Sequence, residues 1–129
     1  MTATLTLCMG GVPVTYQGLT DASGFFTMTM TIPDGTYNYR LKGVRNLAGA
    51  GSLTLGGGTT AHEFGSQAAG DTNNDNVVSA QDFSALKIEF GLVGSGLPAD
   101  FNNDALVSAQ DFNILKGNFG TSGASANCP

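Results

Sequence analysis

The sequence predicts an all-β immunoglobulin-like sandwich followed by a small α domain made of two loop–helix units. Three observations carry this. Up to about residue 66, short runs alternate apolar and polar residues, with turn residues between them. Beyond that point the alternation stops. The stretch Asp71 to Gly91 is then written again, 29 residues later, as Asp100 to Gly120, with 14 identities over 21 positions. The expected organisation is a β domain over 1–66, a loop–helix domain over 67–122 and a tail over 123–129.

In the first part, Thr2 to Cys8, Phe25 to Ile32, Thr36 to Gly43 and Gly51 to Gly57 each read as a short strand of period two. Asp21 to Gly24, Pro33 to Gly35 and the glycine run Gly56 to Gly58 supply the turns. In the second part each copy opens with nine polar, turn-like residues. A helix is expected to follow, with Ser79 or Ser108 as N-cap and Asp82 or Asp111 three residues on. Phe83, Leu86 and Phe90, and again Phe112, Leu115 and Phe119, form an apolar stripe on each helix. Neither helix could bury its stripe alone, so the two are expected to pack together.

Composition excludes several functions. With 12% charged residues, 41% hydrophobic residues and no long apolar run, the chain reads as soluble, with no membrane insertion. Its start has neither the basic flank nor the apolar block of a signal peptide, so it reads as intracellular or as a piece detached from its export signal. Five basic residues, Arg40, Lys42, Arg45, Lys87 and Lys116, are scattered and form no patch for nucleic acid. No catalytic constellation stands out. His62 beside Glu63 is the single histidine and reads as surface decoration, so an enzyme is not expected.

The acidic residues have an address. Six of ten, Asp71, Asp75, Asp82, Asp100, Asp104 and Asp111, fall in the two repeated loops. Counting from Asp71, oxygen-bearing side chains recur at positions 1, 3, 5, 9 and 12: Asp71, Asn73, Asp75, Ser79 and Asp82. The second copy supplies Asp100, Asn102, Asp104, Ser108 and Asp111. With the backbone carbonyls of Val77 and Leu106 at position 7, this is the donor spacing of a calcium loop, and no sulfur or imidazole is offered to zinc. Two calcium ions would bring the formal charge from −5 to about −1. Two departures from the ideal loop matter. Position 6 demands positive φ and holds Asn76 and Ala105 instead of glycine, and position 12 holds the shorter aspartate. The second site is expected to be the weaker.

With these residues in place, 70–120 resembles a dockerin domain, whose tandem loop–helix units lack the incoming helix of a full EF-hand. The resemblance implies an extracellular or cell-surface module that uses two calcium ions to order a helical face for a cohesin. The recognition positions it implies are Ala80, Gln81 and Lys87 in one unit and Ala109, Gln110 and Lys116 in the other. Both copies present the same residues, as binding in two orientations related by a half-turn would require. Thr20 to Gly43 resembles, more loosely, a carboxypeptidase-regulatory-like or Cna-B-like sandwich, which implies a spacer.

Cys8 and Cys128 are the only cysteines. In the oxidising compartment that the dockerin resemblance implies, they could join each other or link neighbouring chains; otherwise they are two free thiols. Two functions are therefore expected as alternatives. In one, the chain is a calcium-dependent attachment module whose partner is a cohesin-like domain or its own β domain. In the other, it is a structural subunit that repeats head to tail with neighbouring subunits into a fibre or surface layer. The second rests on a count of only about six strand-like segments, one short of the usual sandwich, which leaves an edge open to a neighbour's strand.

Overall fold

The computed structural model describes residues 2–21 and 23–125. The chain divides into two compact units. The first comprises Met1–Gly43, Ala48–Ser66 and Ala124–Pro129; the second comprises Val44–Leu47 and Gln67–Gly123.

The first unit is built on a four-stranded antiparallel sheet of order β2-β1-β3-β4, with β1 at Thr2–Met9, β2 at Val12–Leu19, β3 at Gly35–Gly43 and β4 at Gly49–Leu55. Strict alternation in β1 sends Ala3, Leu5 and Leu7 to one face, where Leu41 and Leu53 complete a buried cluster. Threonines occupy the other face of β1, and Thr6 meets Thr15 across the β1–β2 pair at 3.4 Å. The β1–β2 hairpin turns on Gly10 and Gly11, both at positive φ (59° and 83°), as a tight two-residue turn requires.

Two sequence expectations change here. The stretch 25–32, expected as a strand, lies outside the sheet. It keeps its period-two burial, since Phe26, Met28, Met30 and Ile32 pack against the sheet's apolar cluster, but among the described residues no strand pairs with its backbone. Alternation reports a half-buried extended chain; a ladder also needs a partner at hydrogen-bonding distance. Conversely, β2 was not among the expected strands, because Pro13 and Gly18 interrupt its pattern. Both are accommodated at the edge. Proline is tolerated on an edge strand, and Gly18 lets Met28 close in, with its Cε 3.0 Å from where a Cβ would stand.

Facing the same apolar cluster, Phe64 stacks on Phe26 with ring centroids 5.7 Å apart and meets Tyr39 edge-on at 4.9 Å. His62 lies edge-on to Tyr39 at 5.4 Å, so the single histidine is held by aromatic contacts. Cys8 on β1 is disulfide-bonded, and Cys128 lies outside the described residues.

The second unit contains α1 (Ala80–Glu89) and α2 (Ala109–Asn118). Each starts with a complete capping box. The Ser79 or Ser108 side chain accepts from the helix backbone, while Asp82 or Asp111 reaches back to the N-cap N–H. The core comprises Leu47, Val78, Leu86, Ala99, Val107 and Leu115. The expected stripe is shorter than its spacing suggested. Leu86 and Leu115 are buried, but Phe90 and Phe119 are exposed (55% and 54%). Each is a C-cap with non-helical backbone, followed by a glycine at positive φ (Gly91, 86°; Gly120, 84°), so the helical period has already ended.

The two repeats are locked by a reciprocal exchange. Residues 76–78 of the first loop pair with 120–123 beyond α2, and residues 105–107 of the second loop pair with 91–94 beyond α1. The bonds correspond one for one: Asn76 and Ala105 carbonyls accept from Gly123 and Gly94, at 2.9 and 2.8 Å. Val78 and Val107 carbonyls accept from Gly120 and Gly91, both at 2.8 Å. Each loop is thus braced by the segment that leaves the other helix.

Candidate functional site

Each repeat gathers three carboxylates. In Asp71, Asp75 and Asp82, and separately in Asp100, Asp104 and Asp111, one oxygen per residue lies within 4.8 Å of the others, an arrangement that could hold a metal ion. Asp71, Asp82 and Asp111 have no solvent exposure and Asp100 has 2%, while Asp75 and Asp104 are exposed at the mouth.

The loop backbone folds around its first and last aspartates because their oxygens collect its N–H groups. Asp71 accepts from the N–H of Asp75 (3.0 Å) and of Asn76 (2.9 Å). Asp82 accepts from the Thr72 N–H (2.8 Å) and hydroxyl (2.9 Å) on one oxygen and from the Ser79 N–H (2.7 Å) on the other. Asp75 accepts from the Val77 N–H at 3.0 Å. The second loop repeats this pattern: Asp100 receives the N–H of Asp104 and Ala105, Asp111 those of Phe101 and Ser108, and Asp104 that of Leu106. One bond is missing from it, because Phe101 stands where Thr72 supplies a hydroxyl. Phe101 packs instead against the core.

Such tight wrapping needs backbone in the left-handed region. Asn76 and Ala105 at position 6 have φ of 68° and 64°, as the sequence suggested. Asn74 and Asn103 at position 4 also turn left-handed, at 63° and 60°. Asparagine tolerates that region, and Ala105 does so at a cost of about 1–2 kcal/mol.

The position-7 residues, Val77 and Leu106, sit inside the reciprocal bridges. The carbonyls on either side of each accept bridge hydrogen bonds, and those of Val77 and Leu106 take no part in the bridge. Ser79 and Ser108 at position 9 are the helix N-caps; their hydroxyls accept from Gln81 N–H (3.4 Å) and Gln110 N–H (3.3 Å). Asn73 and Asn102 at position 3 accept from Asp75 and Asp104 N–H and donate through Nδ2 to Gln81 and Gln110. Six oxygen-bearing residues per loop, counting the position-7 carbonyl, therefore line one short stretch of chain. Every donor type is oxygen, which fits a hard cation.

The six residues that the resemblance assigned to a partner, Ala80, Gln81, Lys87, Ala109, Gln110 and Lys116, are all exposed, on the first and last turns of the two helices.

Sequence reasoning missed Arg45. It lies between β3 and β4 yet belongs to the second unit. Its carbonyl accepts from Gly70 N–H (3.1 Å) and Asp71 N–H (3.2 Å), where the first loop begins. Its Nη1 donates to the carbonyls of Leu97 (2.9 Å) and Asp100 (2.8 Å), where the second begins. Leu47, two residues on, donates to the Ala68 carbonyl at 2.7 Å and fills the core between the helices. Nothing local in the sequence marks these residues, because their contacts lie 21 to 55 residues away.

Comparison with known proteins agrees with this geometry. Residues 69–120 match the family model of the dockerin type I domain. No curated protein sequence matches the chain. Two solved structures share the fold over 94% of this chain. Both are complexes of Acetivibrio cellulolyticus: an N-terminal interface mutant of a type II cohesin-X-dockerin complex (TM-score 0.64, 20% identity, 82% of that chain covered) and a C-terminal interface mutant of the same kind of complex (TM-score 0.62, 22% identity, 83% covered). Among the described residues, no helix is long and apolar enough to cross a membrane. A four-stranded antiparallel sheet followed by a dockerin type I domain at residues 69–120 is the architecture these findings support.

Proposed function

We propose that this chain is a calcium-dependent attachment module that works outside the cell or at its surface and docks its helical face onto a cohesin-like domain. The observation that carries the reading is the pair of three-carboxylate clusters, two aspartates buried and one exposed in each, repeated at an offset of 29 residues with the last aspartate in the first turn of a helix. Asp71, Asn73, Asp75, Val77, Ser79 and Asp82 would hold one calcium ion, and Asp100, Asn102, Asp104, Leu106, Ser108 and Asp111 the other. The ions supply positive charge that relieves carboxylate repulsion and ties the loops to the helices. The chain's own residues do the rest. The capping boxes fix where each helix begins, and the reciprocal bridges set one helix against the other. Ala80, Gln81 and Lys87, with Ala109, Gln110 and Lys116, then form two equivalent contact patches.

The cohesin partner is read from the dockerin family match and from the structural neighbours, which are themselves cohesin-X-dockerin complexes. In this reading the β unit is a sandwich-like spacer, and no catalysis is assigned to it. The test is isothermal titration against purified cohesin domains of types I and II, with calcium and with chelator. Calcium-dependent binding to one type, weakened by Lys87→Glu with Lys116→Glu, supports the reading. Absence of binding to either type in calcium contradicts it.

One observation favours self-assembly as a second reading. The extended stretch 25–32 and the chain around Phe64 line an open cleft of about 570 Å³ together with Leu5, Leu53 and Leu55 of the sheet, and among the described residues no strand pairs with 26–32. A neighbouring subunit's strand could complete it. Sedimentation at rising protein concentration separates the two readings, since a monomer throughout rules out the fibre.

A further inference from the structure

We propose that Gln81 and Gln110, beyond any contact with a partner, are positioning residues for the calcium loops, each holding the side-chain amide of the third loop residue so that its oxygen stays turned toward the ion. This rests on the calcium reading above.

The geometry occurs twice with the same values. Asn73 Nδ2 donates to Gln81 Oε1 at 2.9 Å and to Asp75 Oδ2 at 3.2 Å. Asn102 Nδ2 donates to Gln110 Oε1 at 2.9 Å and to Asp104 Oδ2 at 3.2 Å. The other end of each amide is fixed as well, with Oδ1 accepting from the N–H of Asp75 (3.2 Å) or Asp104 (3.3 Å).

An asparagine amide is nearly symmetric in shape, so a half-turn about its last side-chain bond is sterically cheap. Chemically the two states are opposite. One offers an oxygen to a cation, and the other aims two N–H groups at it. Asp75 or Asp104 sends its N–H to Oδ1 and takes a hydrogen from Nδ2, and the Gln Oε1 accepts the second Nδ2 hydrogen, so all three contacts hold the first state. Aspartate at position 3 would have no hydrogen to give: its oxygen would face the neighbouring aspartate as acceptor against acceptor, and the glutamine would have to turn its own amide to meet it. Asparagine at position 3 and glutamine at position 11 recur together in both copies.

Outer partners of this kind orient a ligand and raise its affinity. Because both glutamines are exposed on the first turn of their helices, each is also a link between ion and surface. Whatever calcium does to fix the Asn amide also fixes the glutamine, and the coupling is reciprocal.

The experiment is calorimetric titration of the whole chain with calcium alone, with folding followed by circular dichroism. Gln81→Ala is expected to weaken one of two sites by roughly tenfold, the low end for an outer partner. Gln81→Glu, which still accepts from Nδ2, should restore most of that loss. In an Asn73→Asp background, Gln81→Glu should weaken the site further instead of sparing it, because no N–H remains between the two carboxylates. Equal effects of Gln81→Glu in both backgrounds, or an unchanged site in Gln81→Ala, overturn the positioning role and leave the calcium reading standing. A wild-type chain that takes up no calcium overturns both.

Discussion

Removing calcium is expected to unfold the helical unit, and the size of the effect follows from the clusters. Three carboxylate oxygens lie within 4.8 Å of one another in each loop. At that separation a pair of charges repels by roughly 1 kcal/mol in the dielectric of water and by about 3–4 kcal/mol at an effective dielectric of 20. Asp71 and Asp82, with no solvent exposure, lie toward the larger figure. Backbone N–H groups offset part of this, since Asp71 receives two and Asp82 at least two more. Mass action gives an independent estimate. At free calcium a hundredfold above its dissociation constant, each site contributes about 2.7 kcal/mol, hence about 5 kcal/mol for two. A domain this small shifts its midpoint by about 4–8 °C per kcal/mol, so chelation should lower the melting temperature by at least ~20 °C. Far-ultraviolet circular dichroism follows the two helices directly. Superimposable melts in calcium and in chelator, with metal analysis returning no bound ion, would refute the electrostatic argument.

Other outcomes are expected from single residues. Asp71→Ala with Asp82→Ala should reduce the calcium stoichiometry from two to one and fray the start of α1, because Asp82 also closes its capping box; calorimetry and helix content read the two effects. Ala105→Gly should stabilise the chain by about 1 kcal/mol, relieving the left-handed backbone at φ 64°, and Asn76→Gly should gain less because asparagine already tolerates that region; urea denaturation compares them. Arg45→Ala should destabilise the second unit by roughly 2–3 kcal/mol, through loss of charge-assisted bonds to Leu97 and Asp100 carbonyls, and a denaturation midpoint equal to wild type would contradict this.

Local order and periodicity made much of this molecule legible. The carboxylate spacing, the serine caps and the need for positive φ at Asn76 and Ala105 are all properties of a few consecutive residues, so the sequence carries them openly. The stretch at 25–32 shows the limit. Alternation records which side chains face the core, and it does so faithfully from Phe26 to Ile32, but pairing depends on a neighbour that the stretch itself does not encode. Phe90 and Phe119 fail for a related reason. Their spacing continues a helical period that Gly91 and Gly120 have already ended. Arg45 and Leu47 were illegible because their roles exist only once residues far along the chain have folded around them.

The path of the backbone through residues 44–47 has a practical consequence. The chain leaves β3, contributes Arg45 and Leu47 to the helical unit, and returns to form β4 before residue 67 brings it back as far as Gly123. A gene fragment beginning at residue 69 would transplant every aspartate of both loops and still leave behind a leucine from the interior and the arginine that ties the starts of both loops together. Recombination at the family boundary would therefore deliver a less stable unit than the parent. A graft meant to keep both residues has to reach back past Val44 and carry β4 with it.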